Sequence, residues 1–280
     1  MNNPDLRYHV ASLSAVFLSL GIGIVIGTAF VGSPMVARQT GMLHRLETHV
    51  SELREETRDR ERTEEALSQL AAQAVRETLR GKRVLLVQTG TYADAVVAAR
   101  ESLELAGATV TTVALPADTW RTKPDAPDTA AEFRTLGESL ATGATAALQP
   151  FRDAGLLTGD APTGAARCVV LVGGEATGGD AALLAVRDAP LIAAWKNAGL
   201  TVVAAEPRTV DVSYLPAYRR ENIATVDAID RAAGKIALPF VLASGTPGAF
   251  GYRADAEAIL PKTVGASPSP TPTPVPVMTP

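Results

Sequence analysis

The sequence predicts an α/β protein with a doubly wound, mostly parallel sheet, carried behind a single N-terminal transmembrane helix and a coiled-coil stalk. Three observations support this prediction. Residues 10–31 carry no charge, apolar residues recur at heptad spacing after them, and short apolar runs alternate with helical stretches from residue 81 onward. Strands that alternate with helices form βαβ units, whose right-handed crossovers build a parallel sheet.

The uncharged run at 10–31 is long enough to cross a membrane, because a helix rises about 1.5 Å per residue and the hydrocarbon core is ~30 Å thick. We expect residues 1–9 in the cytoplasm and the bulk of the chain outside the cell membrane, since long soluble domains translocate largely regardless of flanking charge. A secretory signal peptide cleaved near Ala29 is the alternative, although its apolar core is usually shorter, roughly 7–15 residues.

Two features of this membrane segment suggest contacts. Gly23 and Gly27 are four residues apart, which permits close approach of two helices in lipid; glycine is also simply common in membrane helices. Arg7, Tyr8 and His9 precede the span, and we expect them to dock a cytoplasmic or membrane partner. Generic anchoring in the headgroup region is the alternative, because Arg and Tyr suit that environment.

The segment 36–80 is predicted to be a coiled-coil stalk. It contains no proline, and Gly41 is its one glycine. A 3-4-3 spacing defines an apolar seam, which would make the protein a homo-oligomer. The seam residues are Leu43, Leu46, Val50 and Leu53. The spacing turns polar at Thr57 and resumes at Leu67, so a helix that packs on the chain's own C-terminal domain is the alternative.

The extracytoplasmic α/β domain is predicted to cover residues 81–265. Its expected strands are 83–88, 109–115, 168–172 and 201–205, and its expected helices are 93–105, 181–198 and 227–242. Ligands of doubly wound sheets usually bind at the carboxyl ends of the strands. In this chain those ends are the loops after Gln88 and Val172.

The loop after Val172 is rich in glycine and opens a helix, where free N–H groups can hold an anion. The candidate ligand residues are Gly173, Gly174, Gly178 and Gly179. The loop lacks both the G-x-G-x-x-G fingerprint and the Lys-Ser/Thr of a phosphate loop. A tight strand-to-helix turn is therefore the alternative interpretation.

Composition argues against several classes of function. All three histidines, His9, His44 and His49, precede the α/β domain, so no Ser–His or Cys–His pair can form within it, and we predict that the protein is not an enzyme. The net charge of −4 disfavours nucleic acid as a partner. Cys168 lies in an apolar run and should be buried. The residues themselves predict no cofactor.

The chain after residue 265 is dominated by alternating proline. Of the 19 prolines in the sequence, many fall in the segment 266–280. Such a composition favours extended polyproline II and adds nothing to a core. We therefore predict a disordered Pro-rich tail.

Three blocks of sequence resemble the actinobacterial MctB copper transporter family. They are RYHVASLSAVFL at 7–18 with the glycines behind it, TVDAIDRAAG at 225–234 and GAFGY at 248–252. The resemblance implies an actinobacterial envelope protein of copper transport. Some relatives are instead associated with cell separation and control of wall hydrolysis, which implies a protein partner in the envelope.

Two functional hypotheses follow. The first is a non-enzymatic membrane-anchored scaffold whose outer domain binds an envelope protein. The second is a component of copper efflux or transport, with copper implied by the resemblance alone. Copper(I) favours thiolate, thioether and imidazole ligands. Near the membrane, Met42, His44 and His49 are the candidate ligands, with ordinary stalk positions as the alternative.

Overall fold

The computed structural model describes residues 4–31, 34–122, 129–176 and 183–262. The chain divides into two compact units, residues 1–62 and 63–280, which are described separately below. The predicted tail at 266–280 lies outside the described residues.

The first unit contains helix α1 (Pro4–Val31) and most of helix α2 (Pro34–Ala74). Within α1, the segment Arg7–Gly27 is long and apolar enough to cross a membrane, and its side chains are exposed. The predicted apolar helix is thus confirmed. Among the described residues, no atom outside the helix lies within 4 Å of where a Cβ on Gly23 or Gly27 would sit, so their packing against a second helix stays a prediction.

The predicted stalk seam lies on the surface of α2. Leu46, Val50 and Leu53 are 59%, 41% and 48% exposed, which is unusual for three large apolar side chains on one face. Leu43 lies within the helix, but its side chain is outside the described part of the structure. A coiled coil along this face stays a prediction.

The end of α2 and the turns after it belong to the second unit. Ala71, Val75 and Leu79 recur every fourth residue and are buried, so this face is part of the core of the α/β domain. Leu67 and Leu70 lie on another face and remain exposed. The face that carries Ala71, Val75 and Leu79 therefore packs on the chain's own α/β domain, which was the alternative to a coiled coil for this end of the stalk.

The α/β domain contains a seven-stranded sheet in the order β3-β2-β1-β4-β5-β6-β7. All pairs are parallel except β2 with β3. In chain order the elements are β1 (Arg83–Gln88), α3 (Ala93–Leu105), β2 (Thr109–Ala114), α4 (Ala117–Thr122), α5 (Thr129–Thr142), α6 (Thr145–Asp153), β3 (Thr158–Gly159), β4 (Cys168–Val172), a π-helical turn (Leu184–Asp188), α7 (Ala189–Asn197), β5 (Thr201–Ala205), α8 (Leu215–Arg220), β6 (Ala224–Val226), α9 (Ala232–Ser244) and β7 (Ala249–Phe250).

Helices cover both faces of the sheet, as the predicted doubly wound fold requires. Strand residues alternate between two cores: Leu85 and Val87 pack with α5, α7 and α8, whereas Val84 and Leu86 pack with α3 and α9. The chain moves outward from β1 to β2 and β3, then returns to place β4 on the other side of β1. This reversal makes the gap between β1 and β4 the switch point where such sheets commonly bind ligands.

The four predicted strands are confirmed, and the second of them ends one residue early, at Ala114. The predicted start of the last helix at residue 227 was wrong, because α9 begins at Ala232. The carboxylate of Asp227 accepts a hydrogen bond from the loop after β7. Ala228 has φ 55°, a left-handed conformation that a right-handed helix cannot contain. The strands β3, β6 and β7 were not predicted, since two or three residues carry no visible periodicity.

We predict that Leu79→Ala lowers the free energy of unfolding by about 2–5 kcal/mol, because it opens a cavity in the core. Leu70→Ala is the matched control: this leucine is 60% exposed, so we expect a change within about 0.5 kcal/mol. Urea unfolding of the full-length protein in detergent, followed by the fluorescence of Trp120 and Trp195, measures both. Equal losses in the two variants would mean that this helix end does not belong to the domain core.

Candidate functional site

The candidate site is the switch point at the carboxyl ends of β1 and β4. The N–H groups of Thr89 and Gly90, which follow β1, both donate to the carbonyl of Val172 at the end of β4, at 2.9 and 3.0 Å. A Cβ on Gly90 would overlap the carbonyl oxygen of Gly174. The two loops are therefore in direct contact at the point where a ligand would enter.

The glycine-rich loop is described as far as Ala176. Gly173 donates its N–H to the carbonyl of Ala205, and Gly174 has φ 88°, which favours glycine. This half of the loop has the geometry of a tight turn. Gly178 and Gly179 lie outside the described residues, so a ligand on the loop stays a prediction.

A buried ion pair fills the switch point from the side of α7. Arg187 and Asp188 close the π-helical turn, and neither is exposed to solvent. The guanidinium Nε donates to Asp188 Oδ1 at 2.6 Å. Its Nη atoms donate to the carbonyls of Thr89 at 2.9 Å and Leu115 at 3.4 Å. The arginine thus joins the loops after β1 and β2.

Tyr218 of α8 completes this cluster. Its hydroxyl donates to Asp188 Oδ2 at 2.7 Å and lies 3.0 Å from the hydroxyl of Thr89. Burial raises the pKa of Tyr218 well above its usual value, and the neighbouring charge of Asp188 raises it further. Burial by itself lowers the pKa of Arg187, but the charge and hydrogen bond of Asp188 outweigh burial and leave it raised. The guanidinium is therefore charged and the phenol neutral.

A second buried group lies beside the first, at the end of β5. Glu206 accepts hydrogen bonds from the hydroxyl of Ser213, at 2.7 Å, and from the N–H of Tyr214. Burial raises the pKa of Glu206 in spite of these two bonds. Burial, together with Glu175, also raises the pKa of Tyr214. Glu206 thus joins the end of β5 to the loop between β5 and α8.

Among the described residues, the buried side chains of Arg187, Asp188 and Tyr218 thus pack against the loop after β1, at the edge where doubly wound sheets commonly hold a ligand. The sequence did contain a signal for the pair. The stretch 183–197 is apolar around its circumference except for Arg187, Asp188 and its last two residues. A helix of that kind is buried, and a charged pair in its middle must be buried with it.

Two of the family-like sequence blocks meet at the end of β6. The carboxylate of Asp227 accepts the N–H groups of Tyr252 and Arg253, each at 2.7 Å, and is 3% exposed. A Cβ on Gly251 would overlap this carboxylate, so the loop can close in this way only around glycine. The residues that carry the resemblance here build a loop.

The described residues contain no group of three or more His, Cys, Asp and Glu side chains that could hold a metal ion. Cys168 is 2% exposed, and burial raises the pKa of its thiol. Met42 and His49 are exposed on α2, seven residues apart, and the side chain of His44 is not described.

The N-terminal candidate residues lie at the start of α1. Arg7, Tyr8 and His9 are exposed there, immediately before the apolar stretch. Their predicted role in docking a partner stays a prediction.

We predict that Arg187→Met lowers the free energy of unfolding by about 3–5 kcal/mol, because the carboxylate of Asp188 would remain buried without its partner. Arg220→Met is the control, since Arg220 is exposed on α8 and its loss should change stability by no more than about 0.5 kcal/mol. Urea unfolding of the full-length protein measures both variants. A small effect of Arg187→Met would mean that water reaches the pair.

The profile of the family "Copper transport outer membrane protein, MctB" matches this chain at residues 5–140 and 121–261. Proteins named "Copper transporter MctB" from Mycobacterium tuberculosis and Mycobacterium bovis are 31% identical to it over 120 residues. That segment is 40% of this chain and covers 37% of the length of these curated relatives. No solved structure matches the chain. Because the profile covers most of the sequence, from the apolar helix α1 to the loop after β7, the chain belongs to the MctB family of copper transport proteins.

Proposed function

We propose that this protein is a non-enzymatic, membrane-anchored envelope scaffold whose outer α/β domain binds a protein partner. The observation that carries the proposal is the buried cluster of Arg187, Asp188 and Tyr218, which packs against the loop after β1 at the switch point. An enzyme or small-molecule receptor of this fold needs that space for its ligand. A domain that places its own charged pair and tyrosine at this edge has its outer surface available for recognition.

In this proposal α1 crosses the cell membrane once, with residues 1–9 in the cytoplasm and the α/β domain outside. The length and apolar character of Arg7–Gly27 support the crossing. The direction rests on the ease with which long soluble domains translocate. The same arrangement makes Arg7, Tyr8 and His9 the cytoplasmic docking segment and lets Gly23 and Gly27 pack against a second copy.

Self-association through α2 is the second part of the proposal. Its support is the exposed stripe of Leu46, Val50 and Leu53, because apolar residues at heptad spacing are stabilised when a second helix covers them. A membrane anchor at the same end of every copy would make the helices parallel.

A component of copper transport is the alternative, and membership of the MctB family favours it. Copper would then be the transported substrate. Cys168 is poorly suited to bind it, because the thiolate is the ligand and burial stabilises the thiol. The remaining soft and imidazole ligands on α2, Met42, His44 and His49, would have to meet between copies.

The two functions differ in their response to Cu(I). We expect the full-length protein in detergent to leave a Cu(I)–bicinchoninate complex intact under anaerobic conditions, as does a matched variant with Met42→Leu, His44→Gln and His49→Gln. Absorbance of the chelate gives the copper removed per chain. Removal of one equivalent by the natural protein but not by the variant would contradict the scaffold as a complete account.

The seam is tested by Leu46→Glu with Leu53→Glu, which places charge on the buried face of the proposed coiled coil. We expect this variant to sediment as a monomer in density-matched detergent, because burying the added carboxylates would cost more than the seam contributes. Thr48→Glu with Ser51→Glu adds the same charge to other faces of the helix and should leave the assembly intact. An unchanged mass in the seam variant would show that α2 does not hold the copies together.

A further inference from the structure

The backbone of the loop after β7 is held at Tyr252 by a buried carboxylate. Asp227, itself buried, fixes the backbone N–H groups of Tyr252 and of the residue after it at 2.7 Å. Gly251 has φ 130°, and any larger residue would strike the carboxylate. A buried carboxylate that binds two backbone donors makes a rigid loop. Yet the ring that this loop presents is 41% exposed.

Arg208 lies over that ring. Its guanidinium carbon is 5.2 Å from the centre of the Tyr252 ring, within the range of a cation–π contact. The backbone N–H of Arg208 donates to Asp230 Oδ1, which anchors the arginine at the end of β5. Gly251 donates its N–H to the carbonyl of Ala258, and the next residue along the chain, Ile259, is exposed. We call Arg208, Tyr252 and Ile259 the Arg208 patch.

The arginines around the patch differ in their partners. Arg219 and Arg253 are each paired with Asp255, at 2.7 and 3.2 Å. In the described part of the chain, no carboxylate lies within salt-bridge distance of the Arg208 guanidinium, whose side chain is exposed. Its N–H donors therefore remain available on the surface, with the tyrosine ring restricting the position of the group.

We infer that the Arg208 patch is the docking site for an acidic segment of a protein partner, an inference that rests on the proposed scaffold function. A carboxylate can accept two parallel hydrogen bonds from a guanidinium, and a neighbouring apolar side chain can pack on Tyr252 and Ile259. Tyr and Arg dominate the residues that carry binding energy at protein interfaces, above all where they are held rigid before binding. The patch also lies at the carboxyl edge of the sheet, because Arg208 follows β5 and Tyr252 follows β7.

The test uses the full-length protein in its native cells, with a photo-crosslinking amino acid at Thr209, an exposed position next to Arg208. A second strain carries it at Leu105, which is 51% exposed on α3. Mass spectrometry identifies the crosslinked peptides. We expect Thr209 to crosslink protein segments that contain Asp or Glu, at about tenfold the yield of Leu105, the ratio that ~1.4 kcal/mol of binding free energy produces.

Charge reversal decides whether the arginine itself binds. Arg208→Glu should lower the yield at Thr209 about tenfold or more, because a charged hydrogen bond becomes a repulsion. Arg134→Glu, at an exposed arginine on α5, should leave the yield unchanged. Both substitutions are on the surface, and equal melting temperatures confirm that the variants fold.

Several outcomes would overturn the inference. Crosslinks that do not respond to Arg208→Glu, crosslinks to lipid, or crosslinks to a second copy of this chain would each do so. Protein crosslinks at Leu105 but not at Thr209 would refute the patch and leave the scaffold function in place. If neither position gives protein crosslinks, the result would count against both the patch and the scaffold function.

Discussion

The ion pair between Arg187 and Asp188 is the interaction around which the carboxyl end of the sheet is organised. Removing two charges from water costs several kcal/mol per ion, so the pair is tolerated only where further hydrogen bonds satisfy it. The carbonyls of Thr89 and Leu115 and the hydroxyl of Tyr218 supply them. These partners lie after β1, after β2 and on α8. Both side chains of the pair are buried at the end of the π-helical turn.

Asp227 is a second buried carboxylate at the carboxyl end of the sheet. A buried carboxylate is again stabilised by donors from a distant part of the chain, in this case two backbone N–H groups. The consequence is a loop whose backbone is rigid while the side chain of Tyr252 faces solvent. The sequence blocks 225–234 and 248–252 are thus in contact through Asp227. Both blocks lie within the family match, and neither contains a histidine, cysteine or methionine for copper.

Helix α2 carries apolar residues on more than one face, and this reconciles two interpretations of the stalk. Ala71, Val75 and the following Leu79 are covered by the domain itself. Leu46 and Leu53, in the other unit, remain exposed at heptad spacing. One end of a helix can pack in the core of its own domain while an apolar stripe elsewhere on the helix stays exposed. The compact unit that contains the sheet accordingly begins at residue 63, well before the first strand.

The sequence by itself determined the apolar helix, the main parallel strands, the burial of Cys168 and the family. Each of these depends on local pattern: an uncharged run, a short apolar run or a motif read along the chain. Only the tertiary structure decided what the charged residues do. Arg187 and Asp188 are visible in the sequence as a charged pair within an apolar helix, but only the tertiary structure gives their partners, two loops and α8. Asp227 has the pattern of a helix start until a loop 25 residues away binds it. Burial and pairing at such positions arise from contacts between distant segments, which local periodicity does not encode.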